Sequence, residues 1–235
     1  MHYKIADLIT QIPAAGDMVP RCEAYLMPYE QAADIIIKEE YYGDRPIEGM
    51  TWDQSVYMRS GLYFYRKLLN YDGLMLHASA VALDGKAYLF SGPCGQGKST
   101  HAKLWQQVFG SRAQIINDDK PALRRIENQW YAYGTPWCGK DGINQNKKLP
   151  LAGICFLVQS SDNKIRRIDS KEAVGRLLSQ TIYRIKNPDT MVILLSLIEK
   201  LIQEVPIFEL ENRPEKAAAL LSYQMMCHSE MENRK

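Results

Sequence analysis

The sequence is poor in cysteine and contains no cysteine motif. Its five cysteines, Cys22, Cys94, Cys138, Cys155 and Cys227, are widely spaced. No C-x-x-C pair occurs, so neither a disulfide framework nor a zinc site is indicated. The N-terminus lacks a basic region followed by a long apolar run, and the longest apolar stretch, residues 191–198, is too short to span a bilayer. These absences predict a cytoplasmic protein without a membrane partner.

The sequence also lacks a strong charge bias, internal repeats and low-complexity linkers. Its formal net charge is +2, which gives no reason to expect a nucleic-acid partner. Charged residues make up 24% of the chain and apolar residues 46%, which excludes wholesale disorder. With 235 residues, the chain fits one domain.

One stretch, FSGPCGQGKSTHAKLW, matches the pattern G-x-x-x-x-G-K-[ST] at residues 92–99. Glycines let backbone N–H groups approach an anion closely, and a helix N-terminus adds partial positive charge. Lys98 would reach the β and γ phosphates of a nucleotide, and Ser99 would bind Mg²⁺. A strand before the loop and a helix after it give the context that this motif needs. The predicted nucleotide-binding residues are Gly92, Pro93, Cys94, Gly95, Gln96, Gly97, Lys98, Ser99 and Thr100.

The rest of the chain alternates between strand and helix patterns, which predicts an α/β fold. Two apolar runs flank Asp84-Gly85, a dipeptide favoured in two-residue hairpin turns, so a β-hairpin should precede the loop. We therefore expect a mixed sheet flanked by helices. Residues 1–50 indicate short strands and turns. Helices are expected after a capping box at Thr51 and Gln54, from residue 171 to residue 183, from Pro188 to Glu204, and near the C-terminus.

Two adjacent carboxylates, Asp118 and Asp119, follow a short predicted strand at residues 114–117. In open α/β sheets, ligands bind at the carboxyl ends of the strands. One carboxylate could hold magnesium, and the other could accept the proton of an attacking hydroxyl. A solvated acidic turn is the alternative. We interpret the pair as functional because it follows a buried strand and lies twenty positions after Lys98.

Further candidates rest on residue chemistry alone. His77 lies on the predicted hairpin and could bind phosphate, tune a carboxylate or hold a metal, although a lone histidine in an apolar strand is more often a hydrogen-bonded core residue. Lys120 could balance phosphate charge. The segment YGTPWCGKDG, residues 133–142, is rich in glycine and proline, with Trp137 expected to be exposed, and such a loop often covers a substrate.

Together, the segments LHASAV, SGPCGQGKSTHAKLW, INDDKPAL and GTPWCGK resemble the HPr kinase/phosphorylase catalytic domain, especially its compact bacterial relatives. That superfamily shares its phosphate loop and second aspartate motif with the ATP-dependent phosphoenolpyruvate carboxykinases. The resemblance covers about residues 70–220. The first seventy residues do not resemble the HPr kinase N-terminal domain. We predict one catalytic domain over residues 1–235, with an N-terminal α+β subregion at 1–70 and a nucleotide-binding core at 71–222.

The resemblance also implies site residues. His77 matches an active-site histidine, and Asp118 and Asp119 match a general base and a metal-associated ligand. We assign Asp118 as the base, and Ser99 and Asp119 as the metal ligands. The segment after Asp119 has no clear counterpart to the second HPr kinase signature, so HPr is in doubt as the substrate.

The sequence thus predicts a kinase that uses ATP and Mg²⁺ to phosphorylate a hydroxyl, of the Ser/Thr type, on a peptide, a protein or a small molecule. One alternative is a nucleotide-binding switch, or an accessory module of a peptide-modification system, with little turnover. A carboxykinase-like phosphotransferase is a second alternative, but it would need further lysines and arginines for a dicarboxylate. Homo-oligomerisation is left open.

Overall fold

The computed structural model describes residues 1–29, 31–181 and 187–232, with side chains described up to residue 227. Its N-terminal part contains three short strands and one short helix: β1 (His2–Ile5), β2 (Leu8–Gln11), α1 (Met18–Cys22) and β3 (Ile35–Ile36). Strands β1 and β2 pair antiparallel, and β3 joins β2 in parallel. The sequence did not predict α1. It contains Pro20, which is tolerated because the first N–H groups of a helix have no intrahelical partner.

Helix α2 (Trp52–Leu68) begins at the predicted capping box. The Thr51 hydroxyl oxygen accepts a hydrogen bond from the Gln54 backbone N–H at 3.2 Å, and the Gln54 side chain accepts one from the Thr51 N–H at 3.0 Å. This reciprocal pair satisfies two N–H groups that the helix itself cannot pair. Val56, Phe64 and other buried side chains of α2 pack with the N-terminal strands in one apolar cluster.

A second, larger sheet has nine strands in the described part of the chain: β4 (Gly73–Met75), β5 (Ala78–Leu83), β6 (Lys86–Ser91), β7 (Ala113–Asp119), β8 (Ala122–Ile126), β9 (Gln129–Tyr133), β10 (Lys148–Gln159), β11 (Lys164–Arg167) and β12 (Ile207–Asn212). Seven of them follow the order β4-β8-β9-β10-β6-β5-β7, and β12 pairs with β10 and β11. Strand β10 pairs in parallel with β6 and β12, and antiparallel with β9. The prediction of a mixed α/β sheet is confirmed.

Helices cover both faces of this sheet: α3 (Lys98–Phe109) and α6 (Lys216–Glu232) lie on one face, and α4 (Ser170–Ser179) and α5 (Pro188–Glu204) on the other. Helix α4 ends at Ser179, whereas the sequence predicted a helix to residue 183, and residues 182–186 lie outside the described part. Among the described helices, none is both long and apolar enough to cross a membrane.

Strands β5 and β6 form an antiparallel hairpin whose turn residues, Asp84 and Gly85, both have positive φ (49° and 79°). On its other edge, β5 pairs antiparallel with β7. Strand β7 is longer than predicted, since it includes Asp118 and Asp119 as its last two residues. Because β5 runs antiparallel to both β6 and β7, these two strands end on the same side of the sheet, and the loop after β6 lies beside the end of β7.

The prediction that Trp137 is exposed is wrong. Its side chain is 0% exposed and stacks on Phe64 with a ring-centroid distance of 4.7 Å. The indole Nε1 donates to the Ser60 hydroxyl at 3.1 Å. A large aromatic ring with a hydrogen-bond partner is stable in such a core, and here it joins the loop after β9 to α2.

This contact predicts a destabilising effect of Gly61→Ala. Gly61 lies inside α2, where alanine is normally better by about 0.5–1 kcal/mol. A Cβ at Gly61, however, would lie 2.8 Å from Trp137 Cδ1. Overpacking of a core costs about 1–3 kcal/mol, so we expect a net loss of about 1–2 kcal/mol in the free energy of unfolding, measured by urea denaturation.

Gly175→Ala is the matched control. Gly175 also lies inside a helix, α4, and a Cβ there would meet nothing within 4 Å. We expect Gly175→Ala to raise the free energy of unfolding by about 0.5–1 kcal/mol. Equal effects of the two substitutions would contradict the proposed packing of Trp137 against α2.

Candidate functional site

The glycine loop, residues 92–97, connects β6 to α3. Gly92, Gly95 and Gly97 all have positive φ (142°, 86° and 90°), a region that other residues seldom adopt. A Cβ at Gly95 or Gly97 would meet nothing within 4 Å. In the described structure no side chain caps the N-terminus of α3, where Gly97 is the cap residue. The loop therefore forms an open backbone cradle at a helix N-terminus, as an anion site requires.

Lys98 is the first residue of α3, and its side chain turns back into the glycine loop. The residue is 8% exposed, and its Nζ donates to the carbonyl oxygens of Gly92 at 2.8 Å and Pro93 at 3.1 Å. Burial lowers the pKa of Lys98, while the nearby carboxylates of Asp119 and Asp118 oppose this shift. The ammonium group is thus held at the loop by neutral oxygens.

Asp118 is joined to the start of α3 by a hydrogen bond. Its Oδ1 accepts from the Ser99 hydroxyl at 3.0 Å and also from the Ser79 hydroxyl. Ser79 is in reach because the register of β5 and β7 places it opposite Asp118. Asp118 is 7% exposed, so most of its carboxylate is enclosed by these partners. Two hydroxyls and one carboxylate oxygen consequently meet beside the glycine loop.

Asp119 has a different environment. Its Oδ1 lies 3.1 Å from His77 Nε2, and its Oδ2 accepts from Lys120 Nζ and lies 3.3 Å from the Tyr57 hydroxyl. Burial raises the pKa of Asp119, but the hydrogen bonds and charges of His77 and Lys120 outweigh it and hold that pKa well below its usual range. Asp119 also has a φ of 130°, a strained conformation that in proteins clusters at functional sites.

His77, the residue before β5, is held in place by Gln180. Its backbone N–H donates to the Gln180 carbonyl at 2.7 Å, and its Nδ1 lies 3.2 Å from Gln180 Oε1. The other ring nitrogen faces Asp119. The imidazole is 31% exposed, so it is a partly open residue and not the buried core histidine that was the alternative.

These residues surround a first cavity of about 530 Å³. Its lining comprises His77, Cys94, Gly95, Gly97, Lys98, Ser99, Thr100, Asp118, Asp119, Gly139, Lys140 and Asp141. Six of the nine predicted nucleotide-binding residues thus face the cavity. The other three, Gly92, Pro93 and Gln96, make hydrogen bonds within the protein. The carbonyls of Gly92 and Pro93 accept from Lys98, and Gln96 Oε1 accepts from the Gln159 N–H at 3.1 Å.

No group of three or more His, Cys, Asp or Glu side chains that could hold a metal occurs among the described residues. Transition-metal cages are built from such groups, whereas Mg²⁺ is usually held by one or two protein oxygens together with substrate phosphates and water. The Ser99 hydroxyl and the Asp118 carboxylate are hard oxygen donors of this kind. The donor set therefore fits magnesium better than zinc or iron.

A second cavity of about 400 Å³ adjoins the first and was not predicted. Tyr57 lines it and donates to the Cys138 carbonyl at 2.9 Å, while Arg21 Nη1 donates to the carbonyls of Cys138 at 2.6 Å and Gly139 at 3.2 Å. No sequence signal marks these two residues, since they lie far from the motifs along the chain. Ser79 was detectable, because it lies two positions after His77 on a strand and therefore shares its face.

Comparisons with known proteins address the family and not the chemistry. No protein of curated function matches the sequence. A solved structure of the Hpr(Ser) kinase/phosphatase from Coxiella burnetii is 12% identical, with a TM-score of 0.39, over 68% of this chain and 99% of that one. So distant a likeness carries no inference about activity. The model of the family described as SynChlorMet cassette protein ScmC matches residues 50–211. Because this match spans more than half of the chain, the protein belongs to the SynChlorMet cassette protein ScmC family.

Proposed function

We propose that the protein is an ATP-dependent kinase that transfers the γ-phosphate to a hydroxyl group. The observation that carries this proposal is the 3.0 Å hydrogen bond between Ser99 and Asp118, which places a magnesium-binding hydroxyl and a carboxylate side by side at the glycine loop. Phosphoryl transfer depends mainly on positioning and on neutralising phosphate charge. Both components are present in one cavity, with Asp119 as a second carboxylate.

The residues present fit a nucleoside triphosphate with Mg²⁺. The open positions at Gly95 and Gly97 leave room for phosphate oxygens close to the backbone. Lys98 would exchange its two carbonyl partners for phosphate oxygens, which are stronger acceptors because they are charged. Ser99 and Asp118 would hold the metal. When bound, Mg²⁺ would supply charge neutralisation at the transferring phosphate.

The sequence suggested Asp118 as the base and Asp119 as a metal ligand. The geometry favours the reverse assignment. Asp118 contacts Ser99, so we assign it to the metal together with that hydroxyl. Asp119 lines both the first and the second cavity, so it is the carboxylate that an acceptor could reach from outside the glycine loop. We therefore assign Asp119 to the acceptor hydroxyl.

The lowered pKa of Asp119 defines what this carboxylate can do. It stays ionised at neutral pH and accepts a hydrogen bond from the acceptor hydroxyl, which orients the attacking oxygen. The low pKa makes Asp119 a weak base towards a free hydroxyl. In a loose phosphoryl-transfer transition state little proton transfer is needed early, so orientation is the larger contribution. Asp119 then receives the proton as the new bond to phosphorus forms.

A nucleotide-binding switch with little turnover is the alternative from another class. It would need the phosphate cradle but not a carboxylate facing an acceptor. The strained φ and the three partners of Asp119 favour catalysis, because a carboxylate without such a role would not require them. Turnover measurements on Asp119 variants separate the two functions.

Lys98→Ala should abolish most turnover while leaving the fold intact. Loss of a cation that stabilises the transferring phosphate costs roughly 100-fold or more in rate. The measurement is release of labelled phosphate from ATP, with water in place of the acceptor, together with circular dichroism of the variant. Lys164→Ala is the control, since Lys164 is an exposed residue of β11 and lines neither cavity. Equal rates for Lys98→Ala and the wild type would disprove the mechanism.

Asp118→Asn and Asp119→Asn should differ in their magnesium dependence. Loss of a metal-binding carboxylate should raise the Mg²⁺ concentration for half-maximal ATP turnover by roughly tenfold or more. Asp119→Asn should lower kcat with an unchanged Mg²⁺ requirement. A magnesium titration of both variants tests this. A raised requirement in Asp119→Asn alone would restore the order first suggested by the sequence.

His77→Leu should raise the pKa of Asp119, because it removes a donor to Oδ1. A carboxyl whose pKa is lowered by folding stabilises the protein fully above its ordinary pKa, near 4, and loses that contribution as the pH falls further. The variant should therefore lose less unfolding free energy than the wild type between pH 6 and pH 3. Carboxyl ¹³C NMR titration gives the pKa directly. An unchanged Asp119 pKa would show that His77 does not influence this carboxylate.

A further inference from the structure

Three cavities form a row that starts at the glycine loop. The second cavity shares Asp119, Gly139 and Lys140 with the first. A third cavity of about 340 Å³ shares Asp17 and Arg21 with the second and continues to Gly142 and Asn144. The second and third cavities therefore adjoin each other at Asp17 and Arg21, beside α1 and the loop after β9. We call the two cavities together the α1 groove.

Asp119 stands at the inner end of the α1 groove. One carboxylate oxygen, Oδ1, faces His77 in the first cavity. The other, Oδ2, lies beside Tyr57, which lines the second cavity. A hydroxyl group that enters along the groove therefore meets Asp119 from the side away from the glycine loop. In-line attack needs an acceptor that approaches opposite the leaving oxygen, and the second cavity gives access to Asp119 without a glycine-loop residue in its lining.

The N-terminal part of the chain builds the outer wall of the groove and holds its opposite wall. Arg21 donates from one nitrogen to two carbonyls of the loop, those of Cys138 and Gly139. Its guanidinium also lies 5.1 Å from the centre of the Tyr57 ring, a distance at which cation–π attraction acts. Asn144 donates to the Arg21 carbonyl at 3.0 Å, which ties the far end of the loop to α1.

The size and chemistry of the groove fit an extended peptide segment. Ligand cavities for single small molecules begin at about 300 Å³, and here two cavities of at least that size adjoin each other. The walls carry side chains that donate, such as Arg21 and Lys140, and side chains that accept, such as Asp53 and Asp119. A peptide backbone offers both N–H and C=O groups along its length and can use both kinds of partner.

We propose that the α1 groove is the acceptor site and binds an extended peptide segment with a serine or threonine hydroxyl at Asp119. Arg21 and Tyr57 act as positioning residues, because they hold the groove wall and the carboxylate. The reaction moves the γ-phosphoryl group from ATP to the hydroxyl oxygen: the new P–O bond forms, the bond to the β-phosphate oxygen breaks, and the hydroxyl proton passes to Asp119. The proposal rests on the kinase activity proposed above.

The test blocks the groove at its midpoint without touching the first cavity. Asp17 is exposed, lines both the second and third cavities, and makes no hydrogen bond or ion pair within the described residues. Its φ of −61° accepts any L residue. Asp17→Tyr adds bulk there, and Asp17→Asn keeps the volume as a matched control. Glu199→Tyr places the same side chain on an exposed position of α5, outside the cavities.

The substrates are labelled ATP and a pool of serine-containing hexapeptides with mixed flanking residues. We expect Asp17→Tyr to raise the KM for the peptides at least tenfold and to leave the Kd of a fluorescent ATP analogue within twofold of wild type. Asp17→Asn and Glu199→Tyr should keep the wild-type peptide KM. Arg21→Ala should raise the peptide KM, and the nucleotide Kd should again stay unchanged.

The outcomes separate this proposal from the kinase function. An unchanged peptide KM in Asp17→Tyr would overturn the groove as acceptor site and leave the kinase function standing. Phosphate release from ATP without transfer to any hexapeptide would likewise overturn the peptide acceptor. A wild-type protein that neither binds nor hydrolyses ATP would overturn the kinase function itself.

Discussion

The position of β5 between β6 and β7 is the constraint on which the site depends. Its register places Ala78 opposite both Ser91 and Asp119, and Ser79 opposite Asp118. The glycine loop starts directly after Ser91, so the hairpin fixes where the loop begins relative to the two carboxylates. A shift of one residue would turn Ser79 and Asp118 to opposite faces. Antiparallel pairing on both edges of one strand thus brings His77, the glycine loop and the two aspartates to a single cavity.

The opposite wall of the site depends on close backbone approaches. A Cβ at Gly139 would lie 3.0 Å from the Asp118 carbonyl, and one at Gly134 would lie 1.9 Å from the Gln145 carbonyl. Glycine at these two positions lets the loop after β9 run along β7. Trp137 then fixes the loop to α2 through its buried ring. The loop is therefore held between β7 and α2, and its backbone carbonyls accept hydrogen bonds from Arg21 and Tyr57.

The sequence predicted those parts of the fold that local patterns determine. The capping box of α2 and the helix from Pro188 to Glu204 each follow from spacing within one segment. The mixed sheet follows from the alternation of strand and helix patterns together with one hairpin. The second cavity could not be predicted in this way. Arg21 and Tyr57 reach it only because the N-terminal apolar cluster packs α1 and α2 beside the loop after β9. The same packing buries Trp137, whose surrounding glycines and proline had suggested an exposed loop.

The roles of the two adjacent aspartates could not be distinguished from the sequence alone. Successive side chains on a strand point to opposite faces, so Asp118 and Asp119 necessarily have different neighbours. Asp118 faces the hydroxyls of Ser79 and Ser99, whereas Asp119 faces cations and the Tyr57 hydroxyl. The positive φ of Asp119 turns the end of β7, so that its carboxylate lines the same cavity as Asp118 and also the next one. In the proposed mechanism, this strand end thereby serves a metal on one side and an acceptor on the other.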